Sequence, residues 1–285
     1  MTTFPAGATP TEGPPVCPRH PDRVSYVRCQ RCGRPACPEC QRPAAVGIQC
    51  VDCVREAARS APVIRTSLGG RIRGDRPVVT LTIVALCVVS YLLQRVDPGW
   101  TARWAFAPFA GEVEPWRFLT AAFLHSPGSV LHILFNMYAL WLVGPYLEQT
   151  LGRWRFVALY VLTAVGGQVG VTLLASASEG GGWFTAVVGA SGAVFGLFGA
   201  VLVVLRRLGR DARQILVFLV LNAVIGFVVP GIAWQAHLGG LVTGLALGAA
   251  FAYAPRERRL TWGVAATVLT GVVLVALAAL RYATV

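Results

Sequence analysis

The sequence predicts an all-α protein of seven membrane spans, preceded by a small cysteine-rich domain. Three observations carry that expectation. Of 285 residues, 55% are hydrophobic and 13% charged, about half the charged share of a soluble domain. Seven apolar runs recur, at roughly 77–94, 130–149, 156–176, 187–205, 214–230, 234–253 and 261–280. Each is close to the ~20 residues that a helix needs to cross ~30 Å of hydrocarbon. Seven of the eight cysteines fall before residue 54.

Residues 1–15 are polar and rich in Pro, Thr and Gly. With no apolar core of their own, they read as a disordered start rather than a signal peptide. Residues 16–55 form the cysteine-rich head. They carry Cys17-x2-His20, Cys29-x2-Cys32, Cys37-x2-Cys40 and Cys50-x2-Cys53. Short spacing lets one turn present two ligands to one metal, so eight ligands in four pairs suit two tetrahedral zinc ions. A disulfide framework fits less well, because seven cysteines leave one over. The order of pairs resembles a B-box-type zinc finger, in which pairs alternate between two metals. That resemblance implies Cys17, His20, Cys37 and Cys40 on one zinc, and Cys29, Cys32, Cys50 and Cys53 on the other. The last pair is often His in that family and is Cys here. So small a domain buries little core, and the metals supply its folding energy. Four filled ligand positions leave no catalytic opening, so the zinc ions read as structural. Such modules serve protein contacts or structure, which implies a protein partner for the finger. Thiolate ligation implies a reducing compartment and places the head in the cytosol.

Residues 56–76 read as a linker, in which Ser60, Pro62, Gly69, Gly70 and Gly74 interrupt any long helix. Arg65, Arg71, Arg73 and Arg76 stand just before the first span and suit the inner face of the membrane.

The net charge of +12 comes from 25 basic residues, all of them Arg. Such a charge suits nucleic acid, but the positions argue for the bilayer as partner. With seven spans and a cytosolic amino terminus, 21 arginines fall on the inner side. Only Arg95, Arg103, Arg117 and Arg281 fall outside, as the positive-inside rule expects. The chain therefore reads as a multi-pass protein of a bacterial plasma membrane, its carboxyl terminus external. Between Arg95 and Gly128 the external connection carries Trp100, Trp104, Phe106, Phe109, Trp116 and Phe118, and is expected in the outer interface. A flexible glycine-rich stretch, Ser176 to Gly182, leads towards the fourth run.

Polar residues inside these runs carry the chemistry. Gly189-Ala190-Ser191-Gly192 opens the fourth run and Ala236-His237-Leu238-Gly239-Gly240 the sixth, while His132 and Asn136 stand one helical turn apart in the second. Hydrocarbon offers a hydroxyl no water, so Ser191 needs a partner or a purpose. At 1.5 Å per residue, Ser191 lies roughly 8 Å below the outer boundary, Asn136 roughly 9 Å and His237 roughly 5 Å. The three spans can meet at one depth. Gly192, Gly196 and Gly199 on one run, and Gly240, Gly244 and Gly248 on another, let backbones approach closely.

A serine is a poor nucleophile until a base takes its proton, and His237 is the candidate base. No Asp or Glu stands near the cluster, so the arrangement is a dyad. His132, Asn136 and the Ser191 N–H can donate to an oxyanion, and Phe195, one turn below Ser191, can hold the imidazole by packing. Each piece alone also has a bland reading, as a hydroxyl bonded to a helix carbonyl or as helix–helix glue. His125, at the edge of the loop, has no assigned role. Together with Trp116-Arg117 in the first loop, these motifs resemble the rhomboid family of intramembrane serine proteases over about residues 77–255.

The resemblance implies a rhomboid core of six transmembrane helices at 77–255, with a seventh helix and the carboxyl terminus at 256–285. It implies an endopeptidase that cleaves single-span, membrane-anchored substrates near the outer boundary, with Ser191 as nucleophile and His237 as base. His132 and Asn136 would form the oxyanion site, and catalysis would need no cofactor. Phe195 stands where some members have Tyr. The alternative is a catalytically silent relative that binds membrane clients. A transporter is disfavoured by the lack of paired acidic residues and of repeated halves. A zinc protease is disfavoured by the lack of His-Glu-x-x-His.

Overall fold

The computed structural model describes residues 13–60, 65–70, 76–178 and 180–285. Residues 1–12 of the expected disordered start lie outside the described residues, as do 61–64 and 71–75 of the linker, with Pro62, Arg71, Arg73 and Gly74. The chain divides into two compact units, Met1–Val63 and Ile64–Val285.

The first unit has two small antiparallel ribbons. β1 (Val16–Cys17) pairs with β2 (His20–Val24), and β3 (Gln41–Pro43) with β4 (Ile48–Cys50). Helix α1 (Val51–Ser60) follows. Its buried cluster consists of six cysteines with Ala36 and Val51. An aliphatic core that small cannot hold the unit together unaided.

The second unit is helical. It comprises α2 (Val78–Val96), α3 (Pro98–Trp104), α4 (Pro108–Val113), α5 (Arg117–Thr120), α6 (Val130–Leu151), α7 (Arg153–Leu174), α8 (Ser191–Arg207), α9 (Arg213–Val228), α10 (Trp234–Ala252) and α11 (Arg259–Tyr282). Among the described residues five helices, α2, α6, α7, α10 and α11 with the turn before it, are long and apolar enough to cross a membrane. Helices α8 and α9 are shorter, at 17 and 16 residues. The protein is an integral membrane protein with a predominantly helical fold.

Helix α8 starts four residues later than the apolar run suggests. Gly189 has φ +136°, which no helix accommodates, and upstream Val187 pairs with Phe106 as an isolated antiparallel bridge. The delay places Ser191 in the first turn.

Glycines set the packing of α7, α8 and α10. A methyl group added at Gly240 would overlap the Gly192 carbonyl, one at Gly244 the Gly196 backbone, and one at Gly248 would lie 2.8 Å from Ala200 Cα. Gly239 faces Gly170 across the α7–α10 contact in the same way. The backbones touch, so these helices have one permitted spacing.

The amino end of α2 has no cap from its own sequence at Pro77. Glu148 of α6 supplies one. Its buried carboxylate accepts from Val79 N (3.0 Å), Thr80 N (2.9 Å) and Thr80 Oγ1 (3.0 Å). An anion at a helix amino terminus satisfies orphan N–H groups and meets the positive end of the dipole.

The connection between α2 and α6 is tied down by Arg117, which donates to Ala102 O (2.8 Å) and Ala105 O (2.7 Å) and pairs with Glu114. Phe106 and Phe118 depart from the expected interface position. Their rings meet at a tilt of 58° with centroids 4.6 Å apart, and they are buried with Val169, Ala236 and Leu274. Trp116 and Phe109 remain about half exposed, at 48% each.

Candidate active site and metal centres

Three helices bring the polar residues of the membrane unit together. Ser191 is the first residue of α8, so its N–H lacks an intrahelical acceptor and points out of the positive helix end. His237 lies in the first turn of α10. Its Nε2 is 2.9 Å from Ser191 Oγ, a full hydrogen bond. The Phe195 ring stacks on the imidazole, centroids 4.1 Å apart and planes 10° apart, which fixes the ring's orientation. Among the described residues His237 Nδ1 has no hydrogen-bond partner.

His132 enters from the first turn of α6. Its Nδ1 accepts from Ser126 N at 3.1 Å, which assigns the neutral ring's proton to Nε2. That nitrogen faces the serine segment. A Cβ built at Gly189 would lie 3.0 Å from His132 Nε2 and 3.6 Å from Ser191 Oγ. Gly189 is thus required twice, for its positive φ and for its lack of a side chain.

Asn136 is buried one turn further along α6. Its amide donates to the His132 carbonyl at 2.8 Å, so that N–H is turned onto its own helix. His132 comes directly to the serine segment, and Asn136 connects to it through His132.

Two contributors have only a faint sequence signal. Gln94, at the end of α2, clamps the backbone of His125, donating to its carbonyl (2.8 Å) and accepting from its N–H (2.9 Å). The His125 ring is fully buried, 5.3 Å from the His132 ring and edge-on to it. Among the described residues neither of its ring nitrogens has a partner. A glutamine in the last turn of an apolar span was the available clue.

This cluster can do acyl-transfer chemistry. A hydroxyl faces a base that can take its proton, and two N–H groups from different helices stand beside it.

The head holds two further clusters. Cys17, His20, Cys37 and Cys40 converge, and so do Cys29, Cys32, Cys50 and Cys53, with ligand atoms within 4.8 Å of one another in each set. His20 Nδ1 lies 3.2 Å from Cys37 Sγ and 3.4 Å from Cys40 Sγ, and Cys32 Sγ lies 3.8 Å from Cys50 Sγ. A tetrahedral ion with bonds of ~2.3 Å to sulfur separates its ligands by about 3.8 Å, so both sets could hold such an ion. None of these cysteines forms a disulfide. Around the ligands, His20 Nε2 faces Glu39 at 3.8 Å, and Cys50 N donates to Cys29 Sγ at 3.2 Å. The Arg34 guanidinium donates to Cys32 Sγ at 3.4 Å and lowers that thiol's pKa, favouring the ligating thiolate.

Comparison with known proteins agrees with the membrane unit. The rhomboid domain family matches residues 112–254. The chain is 30% identical over 193 residues to rhomboid protease GluP of Bacillus subtilis, covering 62% of this chain and 36% of that protein. It is 36% identical over 144 residues to RHOMBOID-like protein 5 of Arabidopsis thaliana, covering 48% and 44% respectively. It is 31% identical over 194 residues to rhomboid protease GlpG of Yersinia pseudotuberculosis, covering 65% and 66%. The match thus spans roughly a third to two thirds of each relative's length.

Proposed function

This chain belongs to the rhomboid family, and from that premise we propose that it is an intramembrane serine endopeptidase working through a Ser191–His237 dyad. The observation that carries the proposal is the 2.9 Å contact between His237 Nε2 and Ser191 Oγ. In the proposed reaction, Ser191 Oγ attacks a substrate carbonyl while His237 Nε2 takes its proton. The developing oxyanion is met by the His132 Nε2–H and the Ser191 N–H. A primary amide has two N–H donors, so Asn136 keeps its second available for the same oxygen. His237 then protonates the leaving amine, and water releases the acyl group by the reverse proton path.

The proposed substrates are single-span, membrane-anchored proteins cut near the outer boundary of the membrane. That side follows from the arginine distribution, which favours a cytosolic amino terminus and an external carboxyl terminus in a bacterial plasma membrane. We assign residues 77–255 to the rhomboid core and 256–285 to the added seventh helix and carboxyl terminus. Residues 16–55 are assigned to a B-box-like finger with two structural zinc ions and a protein partner. Cys17, His20, Cys37 and Cys40 would hold one ion, and Cys29, Cys32, Cys50 and Cys53 the other. Bound zinc would supply folding energy to the head, and its four-ligand sites leave no open position for substrate.

The test is labelling of purified protein with a fluorophosphonate probe, alongside cleavage of a single-span test substrate. Wild type is expected to label, and Ser191→Ala and His237→Ala are not. A well-folded wild type that neither labels nor cleaves would overturn the proposal in favour of a client-binding relative.

A further inference from the structure

The seventh helix lies beyond the residues matched by the rhomboid family, which end at 254. Its outer tip nonetheless reaches into the loops that approach the serine. We propose that Arg281 and Tyr282 of α11 are positioning residues, which brace the segment entering Ser191 and the first external loop beside it.

The contacts run in sequence. Arg281 donates through Nη2 to Ala175 O at 2.8 Å and through Nε to Thr172 O at 3.4 Å. These carbonyls lie at the carboxyl end of α7. The amide that would continue the helix onto Thr172 O, that of Ser176, bonds Gly181 O instead. The guanidinium therefore caps α7, where a cation also meets the negative end of the dipole. It lies 5.5 Å from the Trp183 ring centroid, and the Tyr282 ring meets the same indole edge-on at 5.9 Å. Tyr282 Oη donates to Pro108 O at 2.9 Å, at the start of α4. Trp183 and the first loop are themselves joined, Phe109 N donating to Trp183 O at 3.3 Å. Two residues before Pro108, Phe106 exchanges hydrogen bonds of 3.1 and 2.6 Å with Val187, which lies four residues before Ser191. Leu274 and Ala278 of α11 pack behind this bridge, against Phe106 and Phe118.

A mere membrane anchor would send Arg281 to the headgroups. Here the guanidinium is spent on two carbonyls and an indole of the chain itself. In the serine's own segment Gly180 and Gly182 both stand at positive φ, and Gly189 N donates to Ala121 O at 3.0 Å. The brace sets where that segment enters α8, and with it the distance from Ser191 to its donors.

The inference rests on the protease reading for its effect on rate, so the test has an arm that needs no activity. Hydrogen exchange of peptide 180–190 is measured in the full-length protein in nanodiscs, in an otherwise inactive Ser191→Ala background. Arg281→Ala is expected to speed exchange there, and Tyr282→Phe to speed it in the first loop around 106–111. In the active protein, Arg281→Ala is expected to lower kcat about tenfold with KM little changed, since misplacement by a fraction of an ångström acts on the chemical step. Arg281→Lys, which cannot span both carbonyls, should recover only part of the loss. Unchanged exchange at 180–190 in Arg281→Ala overturns the brace whether or not the chain is a protease. Exchange that rises while labelling per folded molecule stays at the wild-type rate overturns the positioning role. Faster exchange in a chain that never labels would sustain the brace and refute the protease reading.

Discussion

Replacing Gly240 with Ala should uncouple the proposed dyad without touching either of its residues. Gly240 lies one turn after His237, and Gly192 follows Ser191. A Cβ at Gly240 would lie 2.6 Å from the Gly192 carbonyl carbon and 3.2 Å from its Cα. Carbon atoms rest about 3.5–4.0 Å apart, so α8 and α10 must part by about 1 Å. Added to the 2.9 Å between His237 Nε2 and Ser191 Oγ, that puts the pair at about 3.9 Å, beyond a hydrogen bond. Overpacking costs about 1–3 kcal/mol of stability, while a misplacement of this size costs about 100-fold in rate. The assay is the rate of fluorophosphonate labelling at a temperature where the variant is folded, with thermal unfolding in detergent measured in parallel. Gly271→Ala is the control, because its Cβ would meet only Leu162 Cδ2 at 3.8 Å, an ordinary contact. If Gly240→Ala labels as fast as wild type, the glycine contact does not set the dyad's geometry and the reasoning fails.

Phe195→Ala should slow labelling by about three- to tenfold, the worth of a stacked aromatic pair of about 0.5–1.5 kcal/mol, while Phe195→Tyr should retain most of the rate. Glu148→Gln should lower stability by about 2 kcal/mol in equilibrium unfolding. Adding Thr80→Ala should cost less than the sum, because the two residues share a hydrogen bond. Elemental analysis of the purified chain should find two zinc ions, one per cluster. Cys17→Ser with Cys37→Ser should leave one ion if the ligand pairs alternate, and loss of both would favour a sequential pairing.

Five of the seven apolar runs were legible as membrane-crossing helices because such a helix has a fixed rise against a fixed thickness, while the runs at 187–205 and 214–230 give the shorter α8 and α9. The expected common depth of Ser191, Asn136 and His237 rests on the same counting. The four ligand pairs were legible in the spacing, since a turn of two residues suits one metal, whereas their grouping into two clusters was implied only by the resemblance to a B-box-type finger. The late start of α8 was legible only in part. Glycine at 189 marks a break, but the bridge between Phe106 and Val187 joins residues 81 positions apart and leaves no local pattern.

What could not be read was the choice of distant partner. Glu148 falls at the tail of the apolar run at 130–149. Its role is defined by α2, some 68 residues away, whose amino end lacks a cap of its own. Arg155 and Arg281 counted alike as charges on opposite faces of the membrane. Arg155 is in fact 4% exposed and donates to carbonyls of Leu68, Leu151 and Arg259, whereas Arg281 caps α7. An arginine near a membrane surface carries both a charge and five directional donors. Composition reveals the charge, and only the fold reveals where the donors are used. Asn136 shows the same limit within a single helix. Its spacing from His132 marks both as facing one side, yet that spacing also allows the amide to bond the carbonyl one turn back. A donor engaged in this way gives up one N–H to its own helix, so in the proposed reaction the weight of oxyanion stabilisation shifts to His132 and to the open amino end of α8.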